Sequence, residues 1–149
     1  MIVKIPAFYR IFFLYIDPLI CTMGIYIFFF DHQLYLDSGA PESITANVKI
    51  TPLIDFLLLC LGSYSIFILA MQLLILHYFQ NAHDGLNLKL WKIVQFGIIL
   101  VDLGLLFAMF TADPGFWNVL GWRSGEWSNY GILGIVTSIR WSFLIGAGF

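Results

Sequence analysis

The sequence predicts an all-α integral membrane protein, a four-helix transmembrane bundle. Of its 149 residues, 60% are hydrophobic and only 11% are charged, and the mean hydropathy is +0.89. Soluble domains carry roughly 25% charged residues, so this composition is typical of a membrane protein. Four apolar stretches are long enough to cross a bilayer, which takes about 20 residues each. We expect one transmembrane domain over 1–149, with helices at about 8–30, 52–78, 91–112 and 129–148.

The first stretch is predicted to be a retained helix and not a cleaved signal peptide. Asp17-Pro18 interrupts its apolar run, and no small-residue cleavage site follows. Pro18 removes one backbone donor and should kink this helix. The second stretch, after Pro52, is apolar over its length, and the third lies beside Lys89 and Lys92. The fourth, YGILGIVTSIRWSFLIGAGF, follows a loop with three tryptophans.

Basic residues predict the orientation of the chain. Two precede the first helix and two flank the loop between the second and third, whereas the other loops hold one each: Lys4, Arg10, Lys89, Lys92, Lys49 and Arg123. The positive-inside rule therefore places both termini in the cytoplasm and the loop 31–51 in the lumen. Tryptophan favours the membrane interface, so the loop 113–128 is either part of an aromatic belt or a re-entrant lid.

Three ionisable residues lie inside the apolar runs: Asp17, Asp102 and Arg140. A charge at the centre of a bilayer costs about 2.5–3.5 kcal/mol on insertion scales unless it is paired or wetted. At about 1.5 Å of rise per residue, the three lie ~13, ~16 and ~12 Å from the cytoplasmic ends of their helices. We therefore expect them in one slab of the membrane, either as a polar site or as an ion pair that sets helix register.

Glutamines accompany these charges. Gln95 is seven residues before Asp102 and so lies on nearly the same helix face, and Gln72 gives the second helix a polar position. We predict a lipophilic cavity lined by Asp17, Asp102, Arg140, Gln72 and Gln95.

The fourth helix carries a stripe of small residues at a spacing of four, a pattern that allows close helix contact: Gly134, Ser138, Ser142 and Gly146. Arg140 points away from the middle of this stripe. Either the stripe packs on a neighbouring helix or a second copy while Arg140 faces the interior, or the stripe faces inward and Arg140 snorkels to the headgroups. We favour an inward Arg140, because the two carboxylates at its depth otherwise lack a partner.

Several functions are disfavoured by missing motifs. The sequence has no HExxH, GxSxG, P-loop or aspartate-rich diphosphate motif. It has two cysteines but no CxxC, so we expect neither a metal site nor a cofactor. The net charge of −2 argues against nucleic acid as a partner.

Three segments resemble a fungal family of small four-helix integral membrane proteins with a domain of unknown function. They are IPAFYRIFFLYIDPL, LKLWKIVQFGIILVDLG, and FWNVLGWRSGEWSNYG followed by IRWSFLIGAG. The likeness covers most of the chain and is weakest over 38–75. In that family the third helix commonly reads A-D-F-G-H, whereas this chain has Val101-Asp102-Leu103-Gly104-Leu105 and lacks the histidine.

The chain is more remotely similar to the emopamil-binding sterol isomerase superfamily and to fungal membrane terpene cyclases. That similarity implies a small protein of the endoplasmic reticulum with acidic residues in a membrane cavity. It transfers no residue roles by motif, and this chain lacks the additional helices of the cyclases.

These observations predict a membrane-embedded isomerase or cyclase that acts on a terpenoid or polyketide-like substrate, in fungal secondary metabolism. Asp102 would be the general acid, because a low-dielectric pocket favours the protonated form of a carboxyl group. Asp17 or Arg140 would position the proton. Tyr15, Tyr64 and Trp141 are predicted ligand contacts, since aromatic faces stabilise a developing cation.

Two alternatives remain at this point. The protein is a non-catalytic binder of a lipophilic ligand, or it is a structural or assembly subunit that contacts a second copy through the stripe of the fourth helix. An enclosed pocket containing Asp102 favours an enzyme or a binder, whereas a filled core with a bare small-residue face favours the subunit.

Overall fold

A computed structural model describes residues 4–39, 45, 48–113, 117, 118, 120 and 127–148. Four main helices account for most of them: α1 (Ala7–Phe30), α2 (Pro52–Tyr78), α3 (Leu86–Ala112) and α4 (Ile132–Ile145). The first three are long and apolar enough to span a bilayer, and α4 is a shorter apolar helix. The predicted all-α membrane bundle is therefore confirmed. The α-helical part of the fourth helix follows a π turn at Trp127–Gly131 and ends at Ile145, before the predicted 148.

A π turn interrupts α1 immediately before Pro18. Residues Phe12–Ile16 have π geometry, and the amide of Asp17 donates to the carbonyl of Phe12, five residues back. Proline has no N–H, so a helix that contains it must rearrange its hydrogen bonds in the preceding turn. The predicted disturbance at Pro18 therefore takes the form of a wide turn within an otherwise continuous helix.

The helix α3 begins at Leu86, five residues before the predicted start. Asp84 and Gly85 both have positive φ, 58° and 72°, which turns the chain sharply out of α2 and into α3. Lys89 therefore lies inside the helix, whereas the prediction placed it before the start at 91. The start was predicted too late because the polar sequence around Lys89 resembles a loop, although long helices often extend beyond the apolar layer.

Helix ends are stabilised where α2, α3 and α4 meet. The last carbonyls of a helix have no partner within it. Trp91 Nε1 donates to the carbonyl of Leu76 at 3.1 Å, and Lys92 Nζ donates to that of Leu144 at 2.8 Å. The Tyr9 hydroxyl donates to the carbonyl of Ala147 at 2.8 Å. These bonds hold the C-terminal ends of α2 and α4 against α1 and α3.

A largely aromatic core fills the same end of the bundle. The ring of Phe143 lies 5.3 Å from that of Phe13, 5.1 Å from that of Tyr9 and 6.3 Å from that of Trp91, centroid to centroid. Phe13, Trp91 and Phe143 are fully buried. Rings at these distances attract each other beyond their simple burial. The core therefore fixes the register of α4 against α1 and α3.

At the opposite end, His32 joins the end of α1 to the start of α2. Its Nδ1 forms an ion pair with Asp55, and its Nε2 lies 2.8 Å from the carbonyl of Phe28. Both partners are acceptors, so each ring nitrogen has an oxygen beside it. The loop 113–128 that would show a lid or an aromatic belt lies mostly outside the described residues.

A close approach of two helices occurs at Gly62 of α2 and not at Gly134 of the α4 stripe. A Cβ at position 62 would overlap the ring of Phe29 and lie 3.1 Å from the Cβ of Phe28. A Cβ at Gly134 would meet nothing within 4 Å. Gly134 therefore makes no close contact with another described helix, and the expectation of such a contact within the chain is wrong.

The hydroxyls of the stripe are satisfied within α4 itself. Ser138 donates to the carbonyl of Gly134 at 2.7 Å, and Ser142 donates to that of Ser138 at 2.9 Å. Because the helix supplies these acceptors, the serines need no neighbouring helix. The contact with a second copy stays a prediction.

We expect Gly62→Leu to destabilise the protein by about 1–3 kcal/mol, because overpacking would force α1 and α2 apart. Gly97→Leu is the matched control, since a Cβ there meets nothing within 4 Å. Thermal unfolding of the two variants in the same detergent measures the difference. Equal unfolding midpoints for Gly62→Leu and Gly97→Leu would contradict the close approach at Gly62.

Candidate polar site

The predicted polar site centres on an ion pair between Arg140 of α4 and Asp17 of α1. Arg140 Nη2 lies 2.7 Å from Asp17 Oδ1 and 2.8 Å from Asp17 Oδ2. The two side chains are only 4% and 5% exposed. An inward Arg140 is therefore confirmed, and snorkelling is excluded. The π turn and Pro18 lie beside Asp17, at the position where α1 faces α4.

Gln72 of α2 completes the environment of Asp17. Its Nε2 donates to Asp17 Oδ2 at 2.8 Å and to the carbonyl of Phe13 at 2.8 Å. In the π register, the carbonyl of Phe13 would bond the amide of residue 18, and proline has none. The amide group of Gln72 has two hydrogens, so it serves both acceptors at once. One side chain thus satisfies the carbonyl that Pro18 leaves unpaired and also binds the buried carboxylate.

Asp102 of α3 is held less tightly. Its Oδ2 lies 3.4 Å from Arg140 Nη1 and 3.2 Å from the hydroxyl oxygen of Thr137. Among the described residues, its Oδ1 has no hydrogen-bond partner. Its side chain keeps 9% exposure. Asp17 therefore has the strong contacts with the cation, and Asp102 is a secondary partner.

The Thr137 hydroxyl has one hydrogen and two neighbouring oxygens. It lies 2.7 Å from the carbonyl of Leu133 and 3.2 Å from Asp102 Oδ2. The two acceptors share that one hydrogen, and the shorter contact is the one to Leu133. Thr137 therefore binds Asp102 less strongly than it binds the carbonyl of its own helix.

The site as a whole holds two acids and one base. With both acids ionised, its net charge is −1, and a proton on either acid makes it neutral. A buried net charge is costly unless it is compensated, and here two acids face a single cation. Asp17 takes both close contacts of that cation, and Asp102 has the longer one.

Gln95 is fully buried in α3, as the predicted polar face requires. Within the described part of the chain, neither its Nε2 nor its Oε1 has a hydrogen-bond partner, and Arg140 Nε has none either. The prediction that Asp17, Asp102 and Arg140 share one depth is confirmed by their direct contacts. Gln72 joins them, whereas Gln95 makes no bond to them.

The three predicted aromatic contacts lie away from this site. Tyr15, Tyr64 and Trp141 are 69%, 70% and 44% exposed. Tyr15 is two residues from Asp17, and Trp141 is next to Arg140. Successive helical residues diverge by about 100°, so these neighbours of inward-facing charges face outward. Their role in ligand binding stays a prediction.

Two apolar grooves are lined by described residues, and neither reaches the ion pair. One is lined by Tyr64 with Phe56 and Phe67, and the other by Tyr15 with Leu73. The side chains of Asp17, Asp102 and Arg140 bond to one another instead of lining either groove. The predicted lipophilic cavity around the charges is therefore not one of these grooves.

Sequence analysis did not identify Thr137 or the carbonyl of Phe13 as parts of the site. Thr137 lies one turn before Arg140 toward the N-terminus of α4, on nearly the same face, so its spacing was an available signal. The carbonyl of Phe13 had no side-chain signal. The sequence indicates it only indirectly, because Pro18, five residues later, cannot donate to this carbonyl and Gln72 on another helix can.

The described residues contain no group of three or more histidine, cysteine or acidic side chains arranged to hold a metal ion. Fold and site together define the class: a helical integral membrane protein with two aspartates and an arginine buried among its helices. The chain belongs to the family described as domain of unknown function DUF7704, whose profile matches residues 2–149. Searches of the curated proteins and of the solved structures find no match.

Proposed function

We propose that this protein is a membrane-embedded isomerase or cyclase in which Asp102 is the acid. The observation that carries the proposal is the unequal environment of the two carboxylates. Asp17 receives both close contacts of Arg140 and the amide of Gln72, whereas Asp102 has one long contact and one free oxygen among the described residues. Two acids with such different surroundings are suited to different roles.

In this proposal Asp102 gives its proton to a carbon–carbon double bond of a lipophilic substrate. The carbocation that forms then loses a proton from a neighbouring carbon, either directly or after ring closure, and Asp102 takes that proton back. No atom is gained or lost, so the reaction needs no co-reactant. Arg140 and Asp17 neutralise each other beside the reacting acid, and Thr137 orients that acid.

The surroundings support a lipophilic substrate. The helices present mainly apolar side chains, so a terpenoid or polyketide-like molecule can arrive through the bilayer. The proposal extends to fungal secondary metabolism and to the endoplasmic reticulum, with both termini cytoplasmic. Those parts rest on the basic residues of the loops and on the resemblance to the sterol isomerase superfamily and the terpene cyclases.

Two other functions would use the same molecule. A non-catalytic binder of a lipophilic ligand would need the same site without turnover. A structural or assembly subunit is supported by two specific observations. Arg140 and Asp17 pair with each other, and a Cβ at Gly134 would meet nothing within 4 Å. In that case the ion pair only fixes helix register, and the stripe of α4 contacts another chain.

The test is the substitution Asp102→Asn, which keeps shape and hydrogen bonding but cannot deliver a proton. We expect the variant to accumulate normally and to lose product formation. A strain that lacks the protein first identifies the lipophilic metabolite that disappears, by profiling of membrane extracts. Complementation with wild type, Asp102→Asn or the exposed-site control Asp37→Asn then assigns the effect.

Three results would decide against the acid. They are an unchanged extract in the deletion strain, full restoration by Asp102→Asn, and restoration by the double variant Asp102→Leu/Arg140→Leu. The last two would favour the structural function. If the wild-type protein binds a lipophilic ligand but forms no product from it, the non-catalytic binder is favoured.

A further inference from the structure

The two buried glutamines of this protein differ in one respect. Gln72 is 2% exposed and donates two hydrogen bonds. Gln95 is 0% exposed, and in the described part of the chain neither end of its amide has a partner. A buried amide without hydrogen bonds costs free energy comparable to lost bonds, so native proteins rarely keep one unless something binds to it.

The register of α3 against α4 places Gln95 opposite the stretch of α4 that contains Arg140. The helices run antiparallel, because Lys92 reaches the carbonyl of Leu144 while Asp102 contacts Thr137 and Arg140. Gln95 lies between Lys92 and Asp102 along α3. Its level on α4 therefore falls between Thr137 and Leu144, the stretch that contains Arg140, whose Nε is likewise buried and unpartnered in the described structure.

These atoms have a defined chemistry. Gln95 offers one acceptor and an NH₂ donor, and Arg140 Nε offers a second donor. A hydroxyl oxygen matches this set, because it accepts from N–H groups and donates its own hydrogen to Gln95 Oε1. A hydrocarbon matches none of it, and a carboxylate supplies no hydrogen for Oε1.

We propose that Gln95 and the Nε of Arg140 form a buried binding site for a hydroxyl oxygen, carried either by a lipophilic alcohol or by a water molecule. This site is distinct from the acid Asp102 and does not depend on turnover. Gln95 would recognise the hydroxyl group. Phe143 follows Arg140 by three residues on α4, is fully buried, and lies 5.3 Å from the buried ring of Phe13, so apolar rings occupy the adjoining turn of the bundle.

The first arm of the test distinguishes an alcohol from a hydrocarbon of the same skeleton. Purified full-length protein in detergent is titrated with farnesol and with farnesene. For a lipophilic alcohol, farnesol raises the thermal midpoint of the wild type more than farnesene does. Gln95→Leu should weaken farnesol binding by about 10-fold, the loss expected for one hydrogen bond, and leave farnesene unchanged. Gln95→Met serves as a second variant if Gln95→Leu folds poorly, as judged by circular dichroism.

The second arm detects water. Hydroxyl radicals made by radiolysis modify aromatic rings next to bound water, even where bulk solvent does not reach. For a water site, Phe13 and Phe143 are labelled in the wild type, and labelling falls at least several-fold in Gln95→Leu. The proposal is overturned if farnesol and farnesene act alike on the wild type and labelling of the two rings is the same in the wild type and both Gln95 variants.

Discussion

Replacement of Arg140 by leucine is expected to be the most destabilising single change at the polar site. It would leave Asp17 and Asp102 buried without their cation. Removing one member of a buried ion pair costs about 3–5 kcal/mol in soluble proteins, and polar interactions in bilayers are weaker. We therefore expect a loss of about 2–3 kcal/mol for Arg140→Leu.

The contacts predict how the loss of stability should rank among the variants. Asp17→Leu should cost less than Arg140→Leu, because Arg140 keeps Asp102 as a counter-ion at 3.4 Å. Asp102→Asn should cost least, because the pair of Asp17 and Arg140 stays intact. The triple variant with leucine at all three positions should recover most of the loss, since it leaves no charge unpaired.

Unfolding in mixed detergent micelles with increasing dodecyl sulfate measures this series. Asp37→Asn is the control, because Asp37 is exposed outside the spanning helices. An Arg140→Leu variant as stable as the wild type would show that the ion pair does not hold the helices together. A triple variant no more stable than Arg140→Leu would show that packing, and not unpaired charge, causes the loss.

Gln72→Leu is also expected to destabilise the protein, by about 1–3 kcal/mol for the acceptors that it leaves unsatisfied. Gln72 bonds both the carbonyl of Phe13 and Asp17 Oδ2. Asp17 keeps Arg140 after this change, but the Phe13 carbonyl depends on Gln72 because Pro18 has no N–H.

A second substitution tests this dependence directly. Pro18→Ala restores an N–H in the turn that the Phe13 carbonyl faces. We expect Pro18→Ala to recover about 1 kcal/mol in the Gln72→Leu background and to add little to the wild type. A double-mutant cycle measured by thermal unfolding gives the coupling. If the changes in unfolding free energy for Pro18→Ala and Gln72→Leu are strictly additive, Gln72 does not compensate for the N–H that Pro18 lacks.

Much of the fold follows from hydropathy alone. The apolar runs of α1 and α2 end within one residue of the observed helices, because the change from apolar to polar sequence is sharp there. At α3 the change is gradual, and the helix continues through Lys89 and Lys92. Helices of this kind extend beyond the apolar layer, so hydropathy locates the span better than the helix end.

For the candidate site, counting residues along each helix was enough to bring Asp17, Asp102 and Arg140 to one depth. Depth depends on rise per residue, which is a local property. The need of two buried acids for a cation likewise predicted that Arg140 faces inward. These inferences use only local geometry and the cost of an unpaired charge in a bilayer.

Only the tertiary structure decided how the charges divide among partners. Asp17 and Asp102 look alike in sequence, yet Arg140 makes its close contacts with Asp17. Likewise, Gly62 rather than Gly134 lies at the close helix approach. Both outcomes depend on how each helix is rotated about its axis and on its register against the others. Rotation and register are set by packing of many side chains across helices, such as the rings around Phe143, and no single helix sequence contains that information.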